Sequence, residues 1–167
     1  MAEKETVFSS SIKYKGIFSF KDFYKFCYDW LTQETGLRIS EKKYTEKITG
    51  DSKEVEVIWS GEKKMTDYFK FEAEIKMKVS GLTQVELEQK GIKTQTNKGE
   101  IEVKVGGVLS KDYQGKFETS ASKKFLRAIY QKWVIPSSIE EYMGNIAGDC
   151  DAFLSQAKEF LDLEGKR

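Results

Sequence analysis

The stretch from Tyr68 to Val79 constrains the fold more than any other part of this sequence. Phe69, Phe71, Ala73, Ile75, Met77 and Val79 alternate with Lys70, Glu72, Glu74, Lys76 and Lys78. A period of two puts every apolar side chain on one face of a strand and every charge on the other, so the segment belongs to a sheet with one dry and one wet face. The dry face has to be covered by a second apolar layer, which the rest of the chain must supply. Phe71, Ile75 and Met77 are therefore expected to be buried, and Glu72, Glu74 and Lys76 exposed.

Other segments share this period. The run 6–18 reads as a strand. Leu37 and Ile39 lead into the charged stretch Glu41 to Lys47, an exposed strand, and Gly50-Asp51-Ser52 is a turn. Val55, Val57 and Trp59 alternate with Glu54, Glu56 and Ile58, and Val85 and Leu87, like Ile101, Val103 and Val105, alternate with charged neighbours. Gly81 marks a turn or bend, Asn97-Lys98-Gly99 reads as a hairpin turn, and Gly106-Gly107 suggests a bulge or sharp bend inside a long strand. A further strand resumes through Tyr113 to Phe117. Short connections favour an antiparallel meander for the strands within 37–118.

Helical spacing appears in three places. Ser19 caps a segment over 20–35, with Asp22 three residues on, and Phe20, Phe23, Cys27, Trp30 and Leu31 form its stripe. Tyr24 and Phe26 widen that stripe, so this helix is covered on more than one side. A short helix is predicted over 122–134, ended or kinked by Pro136. The longest spans 138–162, opened by the box Ser138 to Glu141, with Ile139, Tyr142, Met143, Ile146, Cys150, Phe153, Leu154, Ala157, Phe160 and Leu161 along one side. The fold class is α+β: one domain over 1–167, with a single curved antiparallel sheet packed on a long C-terminal helix.

This element order resembles the START-like, or helix-grip, architecture, in which a curved sheet grips a C-terminal helix. One helix stands after the first strand where that family usually has two, and an extra short helix precedes the last. A more local similarity is carried by Lys13-Tyr14-Lys15-Gly16, Thr66-Asp67-Tyr68-Phe69-Lys70-Phe71, Lys123-Lys124-Phe125-Leu126-Arg127, Ile139-Glu140-Glu141-Tyr142 and Leu163-Glu164-Gly165-Lys166-Arg167. These runs resemble a set of small uncharacterised archaeal proteins. The resemblance implies a cytosolic archaeal protein and brings no activity with it.

Composition narrows the function. The chain has no histidine, which removes Ser/His and Cys/His nucleophile pairs and every His-containing metal site. Two cysteines do not make a Cys-rich zinc site, and both Cys27 and Cys150 sit on apolar helix faces as small hydrophobes. Asp149 and Asp151 point to different sides of a helix, so no metal and no cofactor is expected. The strand carboxylates share their faces with lysines and read as cross-strand pairs. With 28 basic and 27 acidic residues, the balance argues against nucleic acid, although lysines interleave with aromatics near Tyr14 and Tyr24. The N-terminus carries no apolar signal region, and no apolar run is long enough to span a membrane, so the expected compartment is the cytoplasm.

Gly144-x-x-x-Gly148 in the long helix reads as a close crossing over the sheet, with dimerisation or room for a ligand as alternatives. The leading functional expectation is a non-enzymatic binding module with a small apolar ligand between sheet and C-terminal helix, lined by Phe71, Ile75, Met77, Val103, Tyr142 and Ile146. The alternative is a protein–protein interaction or assembly subunit, or a homo-oligomer, that uses an exposed aromatic surface.

Overall fold

The structure, a computed structural model, describes residues 3–111 and 136–166. In chain order the elements are β1 (Glu3–Phe18), α1 (Phe20–Glu34), β2 (Arg38–Thr49), β3 (Ser52–Lys64), β4 (Phe69–Gln89), β5 (Ile92–Lys111) and α2 (Pro136–Gly165). The predicted strand at 113–117 and the short helix at 122–134 lie outside the described residues. The five strands form one curved antiparallel sheet in the order β1-β5-β4-β3-β2, and α2 packs on it, so the fold is α+β.

Register follows the alternation. Val57, Met77, Val103 and Ile12 stand in one row across four strands, and Val55, Val79, Ile101 and Tyr14 in another. Phe69, Phe71, Ile75, Met77 and Val79 are all buried, whereas Glu74, Lys76 and Lys78 are exposed. Glu72, on the wet face, is only half-exposed because it is held in a chain of ion pairs. Arg38 pairs with Glu62, Glu62 with Lys70 at 2.8 Å, Lys70 with Glu72 at 3.6 Å, and Glu72 with Lys4 at 3.1 Å. The last link passes over β5, since Lys4 and Lys70 both lie opposite Ser110, whose buried hydroxyl has no hydrogen-bond partner among the described residues.

Hydrogen bonds from Lys70 and then from Arg38 hold the Glu62 carboxyl down to about 2 from an ordinary 4.5. A depressed folded-state pKa stabilises the fold fully above the ordinary value and is lost as pH falls toward the folded one. Stability is therefore expected to decline between pH 4.5 and about 2. Arg38 is solvent-exposed and Lys70 and Glu62 are partly exposed at the surface, so these links are worth only about 0.2–1 kcal/mol. Denaturant unfolding of Glu62→Gln across this range checks it, because the difference from the wild-type chain must shrink as the pH drops.

The position of the β4–β5 turn corrects the sequence reading. Asn97, Lys98 and Gly99 are not a turn but lie inside β5, paired with β1 on one side, and Asn97 and Lys98 also pair with β4. The loop is Lys90-Gly91, both at positive φ (51° and 78°), between the paired Gln89 and Ile92. A two-residue hairpin loop of this hand requires positive φ at both positions, and a lysine followed by glycine meets it here. Gly99 is needed for a different reason. A Cβ there would stand 3.1 Å from the Leu82 Cα and the Ser80 carbonyl, where β4 bulges around Gly81 (φ +61°). The irregularity suggested by Gly106-Gly107 falls on the facing strand, where the register shifts between Thr6 and Phe8.

Helix α2 begins at Pro136, so Ser138 lies within the first turn and not at the cap. Proline is tolerated there because first-turn N–H groups have no intrahelical partner. The helix crosses β1 and β5 and touches α1, with Phe160 against Phe26 at 4.8 Å and Phe153 against Trp30 at 5.8 Å between ring centres. Its glycines do not make this crossing. Among the described residues nothing lies within 4 Å of a Cβ placed on Gly144 or Gly148, and both are exposed. The close approach belongs to Gly107 of the sheet, where a Cβ would meet the Cys150 Sγ at 2.8 Å and the Ile146 Cγ2 at 2.9 Å. Gly144→Ala and Gly148→Ala are accordingly expected to stabilise the chain by up to about 1 kcal/mol each. Thermal melts check this, and a loss of stability would mean that something covers that face.

Candidate functional site: an aromatic groove beside the first helix

Phe71, Ile75, Met77, Val103 and Ile146 are fully buried members of the core. Tyr142 is half-buried, its ring 5.1 Å from that of Phe69. All six thus belong to the core between the sheet and α2 or pack against it. None of them lines any of four openings that lie between described residues. Two of these, of about 410 and 390 Å³, lie among polar residues around Glu72 and around Gly99, and a small one of about 80 Å³ lies beside Glu164. The most voluminous of the four, about 570 Å³, lies between α1 and β2, β3, β4 and β5. Phe20, Lys21, Tyr24, Glu41, Tyr44, Lys53, Leu82, Gln84 and Asn97 enclose it.

Local geometry explains why these residues converge. The Ser19 hydroxyl accepts the Asp22 N–H at 3.3 Å, and the Asn97 side-chain carbonyl accepts the Phe20 N–H at 3.2 Å. These bonds satisfy two otherwise free donors of the first turn and tie the start of α1 to β5. On β2 the register shifts between Glu41 and Lys43. In a regular strand positions 41 and 44 would face opposite sides. The bulged Lys42 puts Glu41 opposite Trp59 and Tyr44 opposite Val57, both buried inward-facing residues. Re-aiming a side chain in this way is what bulges do.

Tyr24 is the hub. Its ring lies 5.1 Å from Trp59, 6.1 Å from Tyr44 at 84°, and 6.2 Å from Phe20 in a stacked pose. Tyr28 covers Trp59 from a further side at 5.9 Å, which leaves Trp59 only 1% exposed. The Tyr24 hydroxyl donates to Glu41 Oε1 at 2.5 Å, and the Trp59 Nε1–H donates to the same oxygen at 3.3 Å. Tyr44 donates to Glu46 Oε1 at 2.7 Å, and Lys53 pairs with that oxygen at 3.4 Å. Burial first, and then the carboxylate that each phenol faces, pushes both Tyr24 and Tyr44 up to about 12. They stay protonated at neutral pH, as hydrogen-bond donors and ring faces, not as bases.

Cys27 and Cys150 are free and buried, and burial raises both thiols, Cys150 to about 12. No set of three or more His, Cys, Asp or Glu side chains placed to hold a metal occurs among the described residues. Nor is any helix among them long and apolar enough to cross a membrane.

Tyr24, Glu41 and Tyr44 do not stand out as a site in the sequence. One signal was present: Phe20, Tyr24 and Tyr28 repeat every four residues along α1, beside the stripe of Phe23, Cys27 and Leu31. Such a second stripe marks a second covered side. Tyr44 gave no signal, because it stands among charges and the bulge that turns it inward has no marker residue. No family model, curated protein or solved structure matches this chain.

Proposed function

We propose that this chain is a non-enzymatic, cytosolic binding module that holds a small, flat, largely apolar molecule in the groove beside α1. The observation that carries this reading is the groove itself: about 570 Å³, walled by Phe20, Tyr24 and Tyr44, with a few polar groups converging on it. Ligand sites are typically concave, mostly apolar clefts of about 300–1,000 Å³ with a small number of orienting polar groups. The ligand class is the one the sequence suggests, but the favoured place is different. Phe71, Ile75, Met77, Val103 and Ile146 are packed against one another and their neighbours, whereas the α1 groove is open.

The test is a titration with 8-anilino-1-naphthalenesulfonate, a flat aromatic anion. Saturable one-to-one binding is expected. Tyr44→Ala removes one half-exposed ring and should weaken binding about five-fold, since a ring contact is worth about 0.5–1.5 kcal/mol beyond area. Unchanged affinity in Tyr44→Ala, with the fold intact by circular dichroism, would place the ligand elsewhere.

A second reading uses the same aromatic surface to dock a protein partner or a second copy. It is favoured by the exposure of Tyr28 (42%) on α1 and of Tyr44 (46%) and Ile48 (71%) on β2. Native mass spectrometry separates the two readings, because a dimer lost in Tyr44→Ala and Ile48→Ser supports the second.

A further inference from the structure

The polar groups around the groove are not evenly distributed, and the bonding of Glu41 and of Asn97 leaves each with a defined vacancy. Glu41 spends Oε1 on two aromatic donors, Tyr24 O–H and Trp59 N–H, and no described residue occupies Oε2. Two fixed donors hold this carboxylate in place before any ligand arrives. A carboxylate only accepts, so its free oxygen calls for an N–H or O–H donor. On the α1 and β5 side the demand is opposite. Lys21 lines the groove with no carboxylate partner among the described residues, while Lys53 is held by Glu46 at 3.4 Å. Asn97 must present its carbonyl to the Phe20 N–H, which leaves its NH₂ as a donor. The groove thus has an acceptor on β2, unengaged donors on α1 and β5, and rings between them. Tyr24 and Tyr44 stand at 84°, so a flat ring stacked on one presents its edge to the other.

We infer that the ligand of this groove is a flat aromatic anion that carries a ring-edge N–H donor, the donor meeting Glu41 and the negative group meeting Lys21 and Asn97. This rests on the groove being the binding site and adds the ligand's chemical class. Charge-assisted hydrogen bonds are the stronger kind, and each end should contribute about ten-fold in affinity.

The experiment uses three matched probes with the full chain, read by calorimetry and ligand-observed NMR. Indole-5-carboxylate has the N–H and the anion at opposite ends of one flat ring, 1-methylindole-5-carboxylate lacks the donor, and indole lacks the anion. Indole-5-carboxylate is expected to bind about ten-fold tighter than either of the others. Lys21→Ala should abolish its advantage over indole while keeping its advantage over the N-methyl probe. Glu41→Gln should do the reverse. Equal affinity for all three probes, or discrimination that both variants leave unchanged, overturns the ligand class while leaving a ring-binding groove. If neither these probes nor 8-anilino-1-naphthalenesulfonate binds, the groove reading falls with it.

Discussion

A fragment that ends at residue 135 should not fold cooperatively. Ile146, Phe153, Leu154 and Leu161 of α2 are all at least 95% buried against the sheet and α1. Burying a large apolar side chain contributes about 1.5–3 kcal/mol, so these four together match the about 5–15 kcal/mol by which a typical domain is stable. Without α2 the dry face also loses cover along β1 and β5, where Val103, Val105 and Leu109 are now buried. Near-UV circular dichroism during a thermal melt of the fragment decides the matter. A sharp transition like that of the full chain would show α2 to be an appendage, and the partner-docking reading would then move ahead of the ligand one.

The second large effect concerns one missing side chain. Gly107→Val is expected to destabilise by about 3 kcal/mol or more, and Gly107→Ala by about 1–3 kcal/mol, as overpacked cores do. The atoms that a Cβ would meet, Cys150 Sγ and Ile146 Cγ2, sit one bond from the Cβ atoms of α2, so the helix itself has to lift. Gly106→Ala is the control, because its nearest neighbour would be the Phe8 carbonyl at 4.0 Å. For a chain of this size each kcal/mol moves the melting temperature by about 2–4 °C. Cys150→Ala should recover part of the loss in Gly107→Ala, since contacting sites are not additive. Additive losses would mean that the contact is not what makes the glycine necessary.

Much of the fold was legible, and the reason can be stated residue by residue. The alternation from Phe69 to Val79 is a local pattern whose meaning does not depend on distant partners, and α2 is long enough that its spacing admits no other element. The failures occurred where meaning depends on what lies opposite. Gly144 and Gly148 look like a crossing motif in one dimension, yet they face away from the sheet. Gly107 makes the crossing and looked like a bulge. Asn97-Lys98-Gly99 carries turn chemistry, but Asn97 is used to hold the start of α1, and Gly99 to clear the backbone of β4. The groove was hidden for the same reason. Its face of β2 is set by the single bulged residue Lys42, and its carboxylate by two donors far away in the chain, Tyr24 and Trp59.

The place of β1 at one side of the sheet bears on the order in which the chain can assemble during synthesis. Strands β2, β3 and β4 each find a partner in the next segment to emerge. Strand β1 does not, because Ile12 pairs with Val103, about ninety positions later, which at about 5–20 residues per second is a wait of about 5–18 s. An unpaired apolar strand exposed for so long would invite pairing with a neighbouring chain. The composition of β1 is suited to the delay: Ser9, Ser10 and Ser11 occupy its centre, followed by Lys13 and Lys15, and Val7, Phe8, Ile12, Tyr14 and Ile17 are separated by polar residues or glycine apart from the pair Val7-Phe8. Water can satisfy such a strand until β5 arrives, so the earliest made of these five strands has to wait for the latest before it can pair.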